Sequence, residues 1–371
     1  MKDLDIKTRK ILTMNGIFHK KGNVNRLYLK RDGGGRGLIS VRDCITIEKL
    51  NLRNYLLESS EPLLRAANSI LFPEDVRFRQ YYITKEIPEI PDDCDEIEQI
   101  RIQTTDEYKN DLKDERVYDL LSKKLHGEWF KKLYEFASQG TFDWIKKGYL
   151  DKRTEGFLFA AQEQALATNW LKGRWAADED WDRTCRKCKE FPEKISHVIS
   201  GCPKLAGTEY RKRHDRMGLR VYWELCRKLG IKCSDKWYKE VPDKVRVSGC
   251  GRYEIWWDKT VETPRKLEAN RPDLVIIDKV EMLWKIIDFS VPYDHNVENK
   301  EKEKIEKYAP LAYEIRKMQK VKTELIPLVI GALGAVSENL SRYLSSLGIA
   351  YVQTCMQKSA VIGTSVILKK V

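Results

Sequence analysis

Four metal-ligand side chains at short, regular intervals constrain this chain more than any other feature. Cys185 and Cys188 stand two residues apart, His197 follows after eight more, and Cys202 after a further four. A two-residue gap lets both thiolates of the turn face one ion, and the His–Cys pair closes a tetrahedron suited to zinc. A Cys3His shell leaves no coordination position open, so the expected zinc is structural. The surrounding segment is too short to build its own core, so the metal would supply folding free energy. The chain has nine cysteines, an odd number, and apart from this group they are scattered. That fits a reducing compartment better than a disulfide framework, with six cysteines left as ordinary thiols.

Composition bounds the rest. A length of 371 residues suggests two or three domains. With 42% hydrophobic and 33% charged residues, the chain is neither disordered nor membranous in class. No apolar run reaches the length of a membrane span, and the start MKDLDIKTRKIL has no secretory apolar core. Lys and Arg number 68 against 56 acids, a net +12, beside 10 Trp and 17 Tyr. Such a balance points to a polyanionic partner, most often nucleic acid, with general solubility as the bland alternative.

Along the chain, residues 1–60 are basic, with 13 Lys/Arg against 6 acids. An apolar–polar alternation over Val24–Leu29 predicts a short strand, and Val41–Leu57 predicts a helix. Between them Gly33-Gly34-Gly35-Arg36-Gly37 lacks the GxxxxGK[ST] of a phosphate loop and reads as a turn needing positive φ. Residues 86–98 carry seven acids, no Lys or Arg, and two prolines, which makes them a linker or exposed loop, not a metal site. Helices are expected over Glu115–Tyr134 and Thr154–Trp175, with Trp129, Trp144, Trp170 and Trp175 in the core.

After residue 218 the pattern turns α/β. Strands are expected at Leu274–Ile277, Met282–Val291 and Leu325–Ile330, a charged helix at 299–319, and helical turns over Ser337–Leu347. Asp273 precedes the first strand and Asp288 lies inside the second. If these strands are neighbours, both carboxylates reach one edge and suit a hard ion such as Mg²⁺. Asp278 and Asp258 are candidate substitutes in that site, and Glu254 and Glu268 candidate third carboxylates, all less favoured. Lys300, Lys304, Lys307 and Leu311 form one helical stripe. From pattern alone these lysines read as an exposed, salt-bridged face. Arg211, Lys212, Arg213 and Arg216, following Tyr210, read either as phosphate contacts or as a solvated helix face, and His214 reads as a surface or capping residue.

Several strings together resemble one family. NVNRLYLKRDGGGRGLISVRDC, KRTEGFLFAAQEQALATNW, CRKCKEFPEKISHVISGC, EYRKRHDRM, ANRPDLVIIDK, IIDFSVPYDHNV, KEKEKIEKYAPLAYEI and PLVIGALG occur in order over nearly the whole chain. They resemble the C-terminal part of non-LTR retrotransposon polyproteins of the restriction-like-endonuclease class. The resemblance implies an α+β, multi-domain chain. Its parts would be a reverse-transcriptase thumb remnant (1–60), a helical linker (61–183), a CCHC zinc knuckle with a basic segment (184–217), and a restriction-endonuclease-like α/β domain (218–371).

It also implies a nuclease that nicks target DNA to prime reverse transcription of element RNA, working in the nucleus. Asp273 matches the acid of the family's [RK]PD motif, Asp288 its second acid, and Lys304 with Lys307 its displaced lysine pair, so the resemblance turns these lysines toward catalysis. Structural zinc, catalytic Mg²⁺ or Mn²⁺, and nucleic-acid contacts from Arg186, Lys187, Arg211, Lys212, Arg213, Arg216 and Arg271 follow from the same reading. Two departures stand out. The [YF]xDD pair of a polymerase palm is absent, so reverse transcription by this chain alone is not expected. The two acids are also slightly farther apart than the family keeps them. The competing expectation is a non-enzymatic nucleic-acid-binding protein with a decayed nuclease.

Overall fold

The computed structural model describes residues 2–72, 105–176 and 180–371. The acidic stretch 86–98 lies outside the described residues. Helices of nine residues or more are α1 (Lys2–Met14), α2 (Val41–Glu58), α3 (Pro62–Leu71), α4 (Thr105–Ser122), α5 (Lys152–Gln162), α6 (Arg211–Lys228), α7 (Val297–Gln319), α8 (Glu338–Ser346) and α9 (Gln353–Lys369). None is long and apolar enough to cross a membrane. A five-stranded sheet follows α6, in the order β1 (Val245–Val247), β2 (Tyr253–Trp257), β3 (Leu274–Asp278), β4 (Leu283–Ser290), β5 (Lys322–Val329). The first four strands are antiparallel, and α7 carries the chain across so that β5 lies parallel to β4. Pro327 is tolerated in β5 because that strand is a sheet edge. The mixed α and β architecture and the three expected strands are present. The hairpin β1–β2 and helix α9 were not anticipated.

One hydrophobic cluster runs from Leu29 through Trp129, Trp144 and Leu158 to Phe289, Leu333 and Val361, so the helical half and the sheet share a core. The boundary expected at 218 falls inside α6, whose Met217, Val221, Tyr222 and Leu225 all enter that core. The turn 331–334 is where the halves meet. Asp294 accepts the amides of Leu333 and Ala335, while Gln162 and Gln357 donate to Leu333 and Gly334 carbonyls. Gly334 has φ +103, and a Cβ there would lie 2.3 Å from Trp144 Nε1, so only glycine fits.

The expected strand over Val24–Leu29 is instead a helical turn, Asn25–Tyr28. Counting Arg26 as a solvent-facing position misled the alternation, because Arg26 is 1% exposed. Its guanidinium donates to Gly34 O at 2.8 Å, Gln162 Oε1 at 2.6 Å, and Phe159 O and Glu163 Oε1, both at 3.3 Å. Burial pulls it down to about 10, so it stays cationic. Gly34 and Gly37 do have positive φ, as the turn reading requires. Removing one partner of a buried pair strands the other, so Arg26→Ala should lower the unfolding free energy by about 3–5 kcal/mol in denaturant titration.

The two long helices expected over Glu115–Tyr134 and Thr154–Trp175 are each broken, after Ser122 and after Gln162. At the first break a Cβ on Gly127 would meet Leu120 O at 2.5 Å, and at the second Gln164 takes φ +52. Trp129 and Trp144 are fully buried, whereas Trp175 is 44% exposed and Trp170 half-buried beneath Arg174 and Lys194.

Candidate functional site

Two groups of chemistry-bearing side chains stand out, and α6 lies between them. In the first, the ligand atoms of Cys185, Cys188, His197 and Cys202 all lie within 4.8 Å of one another. Cys185 Sγ is 4.0 Å from Cys202 Sγ, and Cys188 Sγ is 3.4 Å from His197 Nε2. Two sulfurs on tetrahedral corners about 2.3 Å from zinc stand roughly 3.8 Å apart, and a sulfur–nitrogen pair roughly 3.5 Å. The four residues therefore fit a metal such as zinc. Burial, with the neighbouring Cys185 and Cys188 sulfurs, pushes the Cys202 thiol up to about 11. Three thiolates share this hole only when a cation compensates them.

The metal turn is tied to the rest of the chain by polar clamps. Glu193, fully buried, accepts the Arg186 side chain at 2.6 and 2.9 Å, the Arg186 amide at 2.9 Å and the Asn169 amide at 2.8 Å. Arg186 also donates to the carbonyl of Val371. Tyr210 accepts from the Cys202 amide at 3.0 Å and reaches the carbonyls of His197 and Val198. Ile367, Leu368 and Val371, from the end of α9 onward, cover the cysteines on the apolar side.

The second group sits at one end of the sheet. Leu274 pairs with Ile287 across β3 and β4, so Asp273 and Asp288 occupy the next register step on adjacent strands. The Phe289 amide donates to Asp273 Oδ2 at 2.7 Å, which fixes that carboxylate against the strand that carries Asp288. Asp288 is 4% exposed. Lys304 and Lys307, from α7, bring their ammonium groups to 2.6 and 4.0 Å of its oxygens. Asp288 Oδ2 is thus ion-paired with the Lys304 ammonium, and the Tyr308 hydroxyl lies within hydrogen-bonding reach of the same carboxylate. A buried carboxylate with a second carboxylate on the neighbouring strand is the kind of oxygen set a hard divalent ion prefers. Tyr308 donates to Arg271 O at 3.2 Å and pins the Arg271-Pro272-Asp273 turn onto α7.

His214 belongs to this group and was read from the sequence as a surface or capping residue. Its Nε2 lies 3.2 Å from both Asp273 Oδ2 and Phe289 O, and its Nδ1 lies 3.0 Å from Asp215 Oδ1. Burial works against its charged form, yet the hydrogen bonds to Asp215 and Asp273 push the imidazole up to about 10. A signal was present. His214 precedes Met217, Val221 and Leu225 by helical spacing and so shares their buried face.

The other candidates scatter. Asp278, at the far end of β3, pairs bidentately with Arg252 and caps the β3–β4 turn. Asp258 is held by Arg271 and Lys244, Glu254 pairs with Lys279, and Glu268 is exposed. Of the cations expected on nucleic acid, Lys187, Arg211 and Lys212 are exposed, and Arg216 is exposed beside the Trp237 ring. Arg271 is exposed but bound to Asp258, and Arg186 is committed to Glu193. Arg213 differs from the expectation of an open contact: it is 3% exposed and donates to Thr364 Oγ1 and Val291 O. Its place on the inner face of α6, one turn before Met217, is the reason.

No protein-family model matches the chain, and no curated protein matches it.

Proposed function

We propose that this chain is a metal-dependent DNA endonuclease of the retroelement type, built with a structural zinc knuckle. The observation that carries the reading is the buried Asp288 carboxylate at the same register step as Asp273 on the neighbouring strand, with Lys304 from α7 at 2.6 Å. Antiparallel strands bearing the acids, followed by a crossover helix bearing the lysines, support a restriction-endonuclease-like reading of the α/β half. Asp273 and Asp288 would hold Mg²⁺ or Mn²⁺, which when bound lowers the pKa of a coordinated water and stabilises charge on a phosphoryl oxygen. Lys304 neutralises charge near the scissile phosphate and orients the attacking water. Lys307, farther away and more exposed, supports it electrostatically. His214 holds Asp273 through its Nε2 and keeps that carboxylate turned toward Phe289. Cys185, Cys188, His197 and Cys202 would hold zinc in a closed shell. By resemblance the partners are target DNA and element RNA, and the place of action is the nucleus.

The test is incubation of the purified chain with supercoiled plasmid, with and without Mg²⁺ or Mn²⁺. Conversion to open circles that requires the metal is expected. Metal-independent conversion would sink the catalytic assignment, and binding with no conversion under either metal would favour a non-enzymatic nucleic-acid-binding protein.

A further inference from the structure

Beside the carboxylates, between the first turn of α6, the short helix Ile195–Ser200 and the segment joining β4 to α7, lies a cleft of about 510 Å³. Arg211, Arg213, His214, Asn296, Lys300 and Ser200 line it. Its floor holds Arg213, and no carboxylate pairs with that guanidinium among the described residues. Asp294, whose charge favours the guanidinium, is itself taken up by the Leu333 and Ala335 amides. Two polar atoms here, Arg213 Nε and the Ser200 hydroxyl, are covered and have no hydrogen-bond partner. The stem of Arg213 passes over Gly363, where a Cβ would lie 2.6 Å from its Cγ, so the fold makes room for this cation at that place. A buried cation with no ion-paired carboxylate projects its field into the nearest water-filled recess.

The rim adds cations that can move. Arg211 is 71% exposed, and its pairing with Asp215 is long, at 3.8 Å. Lys300 pairs with Glu303 at 2.6 Å on the surface, a kind of contact that costs little to exchange. Lys300 stands one helical turn before Lys304, which touches Asp288. That separation, about 6 Å along the helix, corresponds to roughly one or two nucleotide steps on a duplex strand. His214 reaches Asp273 and also lines the cleft, so cleft and carboxylates are continuous.

We infer that this cleft is an anion subsite for a backbone phosphodiester of the cut DNA strand, about one or two nucleotides from the scissile linkage. The identity of the strand rests on the nuclease reading. Arg213 supplies the fixed field from below, while Arg211 and Lys300 close on the phosphate oxygens from the rim.

Methylphosphonate substitution tests this, because it removes the charge of a single linkage. A fluorescent DNA duplex carrying one such linkage, walked along each strand, is titrated with the full chain without added Mg²⁺. Binding should fall about 10-fold at one or two adjacent linkages and little elsewhere, and that dependence should shrink severalfold in the double variant Arg211→Gln/Lys300→Gln, which keeps only the Arg213 field. Both residues are on the surface, so the variant should keep the native melting temperature, which Arg213 variants need not. Equal tolerance at every linkage, or the same dependence in the double variant, overturns the subsite. Competition by inorganic phosphate with no linkage dependence would mark a small-anion site and also overturn it. An RNA duplex of the same sequence is the third arm, and linkage dependence on RNA alone overturns the assignment to DNA. Plasmid nicking is measured in parallel. Nicking without linkage dependence removes the subsite and keeps the nuclease, while linkage dependence without nicking does the reverse.

Discussion

Asp288→Asn should reduce metal-dependent plasmid nicking by roughly 10³-fold or more, equivalent to about 4 kcal/mol of transition-state stabilisation. The variant keeps the size of the side chain and removes only the charge that a divalent ion would meet. Because Asp288 is buried and already carries Lys304 at 2.6 Å, the fold loses an ion pair at the same time. A thermal melt must therefore accompany the rate. DNA binding without added divalent metal should hold or tighten, since one negative charge has left the phosphate path. Lys304→Ala is the complementary case. It should cost about 10²–10³ in rate, and it also leaves the buried Asp288 charge with only the 4.0 Å contact to Lys307, so its melting temperature should fall further than that of Asp288→Asn. Lys307→Ala, at 4.0 Å and 40% exposed, should lose far less. Wild-type nicking by Asp288→Asn with Mg²⁺ present would remove Asp288 from the chemistry.

Where pattern and physics agree, the fold could be read in advance. β3 and β4 are mainly apolar runs with β-branched centres around a turn, their antiparallel register follows, and with it the placement of Asp273 opposite Asp288. The Cys185, Cys188, His197 and Cys202 group, which could hold a metal, was legible because ligand spacing is a local constraint. What was hidden is mostly buried charge. Arg26, Arg213 and His214 are polar in any hydropathy count, yet each is drawn inward by carbonyls or carboxylates that only the folded chain brings near. Pattern reading sends such residues to solvent by default. Helix α9 escaped for a related reason. Its inner face mixes Met356, Ala360 and Val361 with Gln357, Ser359 and Thr364, a stripe whose polarity is needed to satisfy Arg213 and the carbonyls of Gly140, Thr141 and Gly334. The hairpin β1–β2 did carry a signal, the alternation Val245-Arg246-Val247 before a turn at Gly251 with φ +75.

Removing the metal proposed for Cys185, Cys188, His197 and Cys202, by chelation or by Cys202→Ser, should unfold part of this protein and leave the rest standing. The metal turn contributes Cys185, Cys188, Val198, Cys202 and Leu205 to a small cluster of its own, while the large core needs only Ile195 and Ile199 from it. Stabilisation by a ligand bound a thousandfold above its Kd is about 4 kcal/mol, the scale of loss expected locally. Hydrogen exchange should rise across residues 184–202. It should also rise at the end of α9, because Ile367 packs on the cysteines and Arg186 holds the Val371 carbonyl. Exchange in β3 and β4 should stay slow, since their contacts lie in the other cluster. Function follows from the same geometry. Ser200 and Tyr210 line the proposed phosphate cleft, and Tyr210 is hydrogen-bonded to the His197 and Val198 carbonyls, so loss of the ion loosens one wall. The metal-free chain should thus bind duplex more weakly while keeping residual nicking at saturating DNA, because Asp273, Asp288 and Lys304 stand on elements the ion does not support. Global unfolding on chelation, seen as loss of protection in β3 and β4 together with the knuckle, would mean that the ion stabilises the large core as well.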